Sequence, residues 1–504
     1  MNDTKGTSAE APTAVGDVTY LSSPEGVFFA PGHYLPVPAL ALRRALCEDG
    51  VLGPQPDWGR FCYLLRLCFA QEMWSETERL KAAWALIHAA PEHWWHDHNR
   101  RQDAEQHFLD AFLRVLKRAN FRPVAYQQIQ EAERDDFLYM LPLRVDWERL
   151  DGRFLTRFYE SHPQWREMLP EGPQHERMLI FFRGIGEEQE TGRFLLQKID
   201  LLLGDLLLLV PRALRTLWRW WKGERDAPEQ ADVAVASRWT SYSSMHGLVR
   251  RRRVTLRTAG YGLRNLFRKT TIVEPTFQEV VLLYRMRRTP GSRQRGAQHE
   301  PLQIRAYRDI PLSDLEVIFP AKRVSMKPLD LIKLTVTALI GVVAVGMKIL
   351  TSLLNPVVLL MTLASLAGYG SKIVFQFKVS KDRYMLLLTD ALYSKHRDND
   401  LGVILYLVDS VVEQEYKESL LAYAFLARGG PMTEEALDRQ CEQFLLDHFG
   451  LRVDFESSDA LAKLQRLGLA ETDGTTWRAV PLEDAVSLLV RLAWERTDQD
   501  AASR

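Results

Sequence analysis

Apolar positions recur at helical spacing through the first third of the chain. From Trp58 to about His88, residues Phe61, Leu64, Leu65, Cys68 and Phe69 fall at i, i+3 and i+4, which predicts a helix with one buried stripe. "HFLDAFLRVLKRANF" repeats that pattern and "LRVDWERL" reads as a strand, so a helical domain is expected over 31–165. Between Glu176 and Pro320 the pattern changes. "MLIFFRGIG", "VVLLYRMRR" and "LQIRAYRDI" are short β-prone runs bounded by turn chemistry, and they predict a small β-containing domain over 175–330. The acids following the glycines in "GIGEEQETG" oppose an anion site, so that stretch is expected to be a turn between a strand and a helix.

Residues 334 to 375 are the least polar part of the chain. Leu334 to Leu354, at 1.5 Å per residue, would make a helix of about 31 Å, the thickness of a bilayer's hydrocarbon core. Lys348 is the only charge in that run, close enough to the Asn355-Pro356 break for its ammonium to reach an interface. Asn355 suits an N-cap and Pro356 a first turn, so a second span from Pro356 to Phe375 is expected. Lys322, Arg323, Lys327 and Lys333 precede the pair, and Lys372, Lys378, Lys381 and Arg383 lie around its far end. By the positive-inside rule both flanks face the cytoplasm, and the expectation is a transmembrane helical hairpin at 331–375. The alternative is a buried hairpin of a large soluble domain.

Beyond it, 376–428 is expected to hold two or three helices, with Asp398, Asn399 and Asp400 capping one of them. The order helix, extended piece, helix, hairpin at Asp473-Gly474 predicts a winged-helix-like domain at 429–496, before a tail at 497–504. From Glu413 to the C-terminus there are 18 acids against 10 bases. Phosphate neutralisation dominates affinity for DNA, so no nucleic acid is expected as partner and the winged helix is read as a packing or protein-contact module. The fold class expected is therefore α+β, mainly α: a multi-domain membrane protein with a two-helix transmembrane hairpin and a winged-helix-like C-terminal domain.

Composition changes this picture little. Lysine plus arginine equal aspartate plus glutamate at 65 each, so any charge bias is local. Cys47, Cys62, Cys68 and Cys441 have no CxxC spacing and read as buried thiols in a reducing compartment. The first thirty residues read as a disordered tail without a basic, apolar leader, which places both termini in the cytoplasm.

Two local patterns point to lipid. "LLLGDLLLLVPRALRTLWRWWKG" is broken by Asp205 and Pro211, and it mixes arginines with Trp218, Trp220 and Trp221 as a headgroup-level helix does. A packed amphipathic helix uses the same stripe. Within the same insertion (195–270), eight basic residues run from Arg250 to Lys269, beginning Arg250, Arg251, Arg252, Arg253, and would hold anionic headgroups at roughly 1 kcal/mol per charge. A solvated basic face is the plainer reading. "HWWHDH" brings His93, His96 and His98 together beside Asp97, the donor types of a transition-metal site, in what reads as an exposed loop. No phosphate loop, nucleophile elbow or zinc helix is present, and no cofactor or catalytic residue is expected.

"GHYLPVPALALRRAL", "LIFFRGIGEEQETGRFLLQKID", "IRAYRDIPLSDLEVIFPAKRVSMKPLD" and "DRYMLLLTDALYSKHRDNDLGVILYLVDSVVEQEYKESLLAY" resemble the family typified by transmembrane protein 143. That resemblance implies a two-span membrane protein with no assigned reaction. Lacking an organelle presequence, the chain is expected in a prokaryotic plasma membrane. The leading expectation is a non-enzymatic, membrane-anchored scaffold with membrane lipids and a protein as partners. The alternatives are a membrane-associated enzyme with a dispersed site and, last, an ion path.

Overall fold

The computed structural model describes residues 20–23, 26–29, 32–53, 56–88, 98–124, 143–169, 176–192, 249–252, 270–287, 301–312, 315–324 and 392–502, with scattered helical positions between 343 and 386. At the N-terminus β1 (Tyr20–Ser23) and β2 (Gly26–Phe29) pair antiparallel. Three helices follow: α1 (Ala39–Glu48), α2 (Pro56–His88) and α3 (His98–Arg118). The stripe expected on α2 is buried along its whole length, from Phe61 through Cys68, Met73 and Leu80 to Ile87. Lys117 and Arg118 stand in the last turn of α3, where cations offset the helix dipole, and Asn120 ends it at φ 59°.

The β-prone runs do form a sheet. After β3 (Arg122–Pro123) and β4 (Leu143–Val145), a 3-10 turn at Trp147–Arg149 leads into α4 (Arg153–Ser161) and α5 (Pro163–Met168). Then come β5 (Met178–Gly192), β6 (Val249–Arg252), β7 (Thr270–Arg285) and β8 (Leu302–Pro311). Short α6 (Leu315–Ile318), β9 (Lys322–Val324) and β10 (His396–Asn399) complete this part. The five-stranded antiparallel sheet has the order β10-β8-β7-β5-β3. Both of its faces are covered, which is why its strands read as continuous apolar runs. Leu179, Phe181, Val281, Leu283 and Ile304 join the helical core, while Ile180, Phe182, Val280 and Leu282 pack on Leu312, Leu315 and Phe319.

"GIGEEQETG" departs from expectation. It continues β5 and pairs with the first half of β7 as far as Gly192↔Thr270, beyond the last residue of β8. Its glycines sit inside a strand, not at a strand-to-helix turn.

In the stretch 376–428, helical positions at 378–386 and 392–395 come before the 30-residue helix α7 (Asp400–Gly429), which is the centre of the molecule. Every residue but Glu413 from Ser410 to Leu426 is buried, because α2, α3, β8 and the C-terminal elements surround it. The C-terminal unit consists of α8 (Glu434–Phe449), α9 (Ser457–Arg466), β11 (Ala470–Thr472), β12 (Trp477–Ala479) and α10 (Leu482–Ala502). A bridge from Met432 to Trp477 sets residue 432 beside the β11–β12 hairpin. Thr433 caps α8 by accepting from Ala436 N–H, and Gly450 at φ 64° ends it.

The transmembrane hairpin expected at 331–375 is corrected. Among the described residues no helix is long and apolar enough to cross a membrane. Most of 334–375 lies outside those residues, but the helical positions that are described do not stop at Phe375. They continue through Lys378, Val379, Asp382 and Leu386, and the exposed ones include Ser371, Lys372, Lys378 and Asp382. Charge and polarity recur among the described helical positions there, which a hydrocarbon core does not accommodate. The molecule is a mainly helical α+β fold around an antiparallel sheet.

Candidate functional site

The densest chemistry lies where α7 crosses the sheet. Arg183 on β5 and Glu279 on β7 are direct cross-strand partners, and their side chains meet at 2.6 Å with both residues buried. All three guanidinium nitrogens of Arg183 donate, Nε to Glu279. Nη1 donates to Ala119 O at 2.9 Å, and Nη2 donates to Tyr406 Oη at 2.7 Å and Ser410 Oγ at 3.0 Å. Its guanidinium also lies over the rings of Tyr34 (4.3 Å) and Phe121 (4.6 Å). Gly184 permits that approach: it sits at φ 67°, and a Cβ there would come within 2.9 Å of the Tyr34 ring. Glu279 gives its second oxygen to Arg397 Nη1 on β10 at 2.9 Å, so one carboxylate serves two guanidiniums.

About one turn further along α7, four residues from Ser410 to Gln414, a second cluster begins. Gln414 Nε2 and Asn120 Nδ2 both donate to Glu418 Oε1, at 2.7 and 2.9 Å, and Lys463 Nζ on α9 donates to Glu418 Oε2 at 2.7 Å. Glu415 takes Arg118 bidentately at 2.9 and 3.1 Å, and Arg118 and Arg466 share Glu72 Oε1 at 3.1 and 2.8 Å. Of the two bases of α9, Lys463 points inward onto α7, while Arg466 is half-exposed and pairs with Glu72 of α2. Lys417 Nζ donates to the carbonyls of Leu35 and Val37 at 2.6 and 3.1 Å, with Glu413 3.8 Å away.

Burial decides the proton affinities here. Desolvation pulls Lys417 down to about 8, and Arg183 adds to that pull against Glu413 and Glu418. Burial pulls Lys463 down too, but Glu418, Glu415 and Asp459 outweigh it and hold this lysine above its ordinary value. The Tyr406 phenol is pushed up by burial. With every cation of the network facing a carboxylate, two sharing Glu279 and two sharing Glu72, the network is suited to fixing the sheet, α3, α7 and α9 in one arrangement.

Arg397 and Glu279 belong to a segment that matches a family of unknown function. A domain of unknown function, DUF3754, spans residues 277–402. The DUF3754 domain therefore contains most of β7, all of β8 and β10, and the first residues of α7, and the ion network ties it to the rest of the chain. The match stops short of the broader resemblance drawn from the sequence, and it carries no span and no activity. No solved structure matches the chain.

A second feature lies within the same domain. Val357, Met361, Phe375, Val379 and Leu386 are helical and exposed, with Met361 at 66%, Phe375 at 67% and Leu386 at 71%. Val357 and Met361, and Phe375 and Val379, stand four positions apart. Lys372 and Lys378 are helical and exposed beside them.

The residues singled out in the sequence fare unevenly. Trp218, Trp220, Trp221 and Arg253 lie outside the described residues, as do His93 and His96. Arg250, Arg251 and Arg252 form β6, opposite Phe28, Val27 and Gly26 of β2. His98 opens α3, and among the described residues no group of three or more His, Cys, Asp or Glu could hold a metal. Sequence reasoning missed Arg183, Glu279, Lys417 and Glu418. The available signal was "QEYKES", six polar or amphipathic residues inside an otherwise apolar stretch of α7, with Gln414, Lys417 and Glu418 at i, i+3 and i+4.

Proposed function

We propose that this protein is a scaffold that rests on a lipid surface through the apolar helical positions of its DUF3754 domain and presents its helical body to a protein partner. The observation that carries the reading is the exposed set Met361, Phe375, Val379 and Leu386 with Lys372 and Lys378 alongside. Apolar side chains exposed in series are unusual on a soluble monomer. Apolar residues flanked by lysines suit the boundary between acyl chains and headgroups, where the aliphatic stem of lysine lies along the apolar zone and its ammonium stays wet. The contact is with the surface layer of the lipid, and no crossing is part of it. The ion network supports the scaffold half of the reading, since its charges are matched against one another and hold elements in place.

Flotation of the full-length protein with vesicles of phosphatidylcholine and phosphatidylglycerol tests this. The triple variant Met361→Glu/Phe375→Glu/Leu386→Glu is expected to lower the floated fraction at least tenfold. Trp494→Glu, on an exposed position of α10, is expected to leave it unchanged. Equal flotation of the triple variant and the wild type would reject the lipid contact.

A further inference from the structure

Helix α2 buries one side against α3, α7 and α10 and carries a second stripe on the side those helices leave open. Tyr63 and Trp74 are 69% and 47% exposed there, with exposed Ala70 and half-buried Leu67 between them. Their spacing of four, three and four positions is that of a coiled-coil seam, so they line up along one face of a continuous helix. Two exposed charges, Arg60 and Glu78, flank the seam on a common side, because eighteen positions make about five whole turns. Arg60 reaches Asp57 only at 3.8 Å. Lys81 holds Glu78 at 2.9 Å and stands 5.8 Å over the Trp74 ring, which orders both groups in the single chain.

This face is complementary to itself when a second α2 runs antiparallel to the first. The pairs Tyr63–Trp74, Leu67–Ala70 and Arg60–Glu78 have midpoints within half a residue of one another, about 0.8 Å along the axis. A single twofold axis between positions 68 and 69 therefore sets tyrosine against tryptophan, leucine against alanine and arginine against glutamate, each of them twice. The twofold also keeps a flank on its own side of the seam, so Arg60 meets Glu78 of the second copy. In a parallel pair the same two charges would stand about 27 Å apart along the axis. Trp, Tyr and Arg are the residue types that anchor protein interfaces, and an aromatic pair adds to the area it buries. One base and one acid in register favour a second copy over a uniformly charged surface such as a lipid headgroup layer.

We infer that α2 is a dimerisation helix, docking on α2 of a second copy of this chain through Tyr63, Leu67, Ala70 and Trp74, with Arg60 and Glu78 setting the antiparallel register. The inference is independent of the lipid contact, which lies on other residues.

Sedimentation equilibrium of the full-length protein in vesicle-free buffer tests this. Wild type is expected to pass from monomer to dimer at concentrations on the order of micromolar, the strength suited to one helix pair. Tyr63→Glu/Trp74→Glu, at two exposed positions, is expected to weaken the dimer by about tenfold or more. Arg60→Glu alone sets acid against acid twice and is expected to weaken it about tenfold, whereas Arg60→Glu/Glu78→Arg restores opposite charges and is expected to return within about threefold of wild type. A wild type that stays monomeric to about 100 μM would overturn the inference. So would a dimer indifferent to Tyr63→Glu/Trp74→Glu, or a double reversal no tighter than Arg60→Glu alone.

Discussion

Replacing Glu279 by alanine is expected to cost about 3–5 kcal/mol of folding stability, the range for breaking a buried ion pair from one side. Glu279 is the shared anion of Arg183 and Arg397, with contacts of 2.6 and 2.9 Å. Its loss leaves the Arg183 guanidinium, 4% exposed, with hydrogen bonds only to neutral groups and no counter-charge. The cost comes from the stranded charge more than from the lost bond. The double variant Arg183→Met/Glu279→Leu should therefore recover much of the stability, because it removes both charges and keeps apolar volume on the face of the sheet that meets α7. Urea denaturation of the three proteins measures this, and a single-variant loss below about 1 kcal/mol would show that water already reaches the pair.

Lys417 gives the second large effect, and its sign runs against intuition. Its folded value is about 8 against an ordinary lysine value of 10.5. Between those two pH values the unfolded chain binds more protons than the folded one, so the contribution of Lys417 to stability rises with pH across the window. Below pH 8 the cost of burying the ammonium is fully present. The rise amounts to about 3 kcal/mol over the window, from the separation of the two values. Buried thiols at Cys62, Cys68 and Cys441 and buried phenols such as Tyr416 and Tyr423 act in the opposite sense, because burial raises their folded values and the unfolded chain ionises first. The readout is therefore the difference between wild type and Lys417→Met. That difference should move in favour of wild type as pH rises from 7.5 to 10, and a difference constant with pH would contradict the buried charge.

The strands were legible in the sequence because a sheet covered on both faces needs continuous apolar runs, and "MLIFF" and "VVLLY" have no other simple reading. α2 and α3 were legible from local periodicity. The ion network was not, because no local rule pairs Arg183 with Glu279, 96 positions on, or with Ser410, 227 positions on. Arg183 directly follows the apolar run "MLIFF", and Lys417 is one charge among several on α7. The hairpin failed for a different reason: apolar length was summed without asking which side each residue occupies. Met361 and Phe375 were counted together with their neighbours, and the lysines at 372 and 378 were assigned to a flank, although all four are exposed helical positions.

The central claim is that those exposed positions meet lipid. A nitroxide attached to Phe375→Cys, in a background where the exposed Cys47 is serine, reports the surroundings of that position directly by its accessibility to oxygen and to a water-soluble nickel complex. With vesicles present, the account predicts that oxygen accessibility rises and nickel accessibility falls, while a label at Tyr63→Cys on α2 shows neither change. A label at position 375 that stays as open to nickel with vesicles as without them would contradict it.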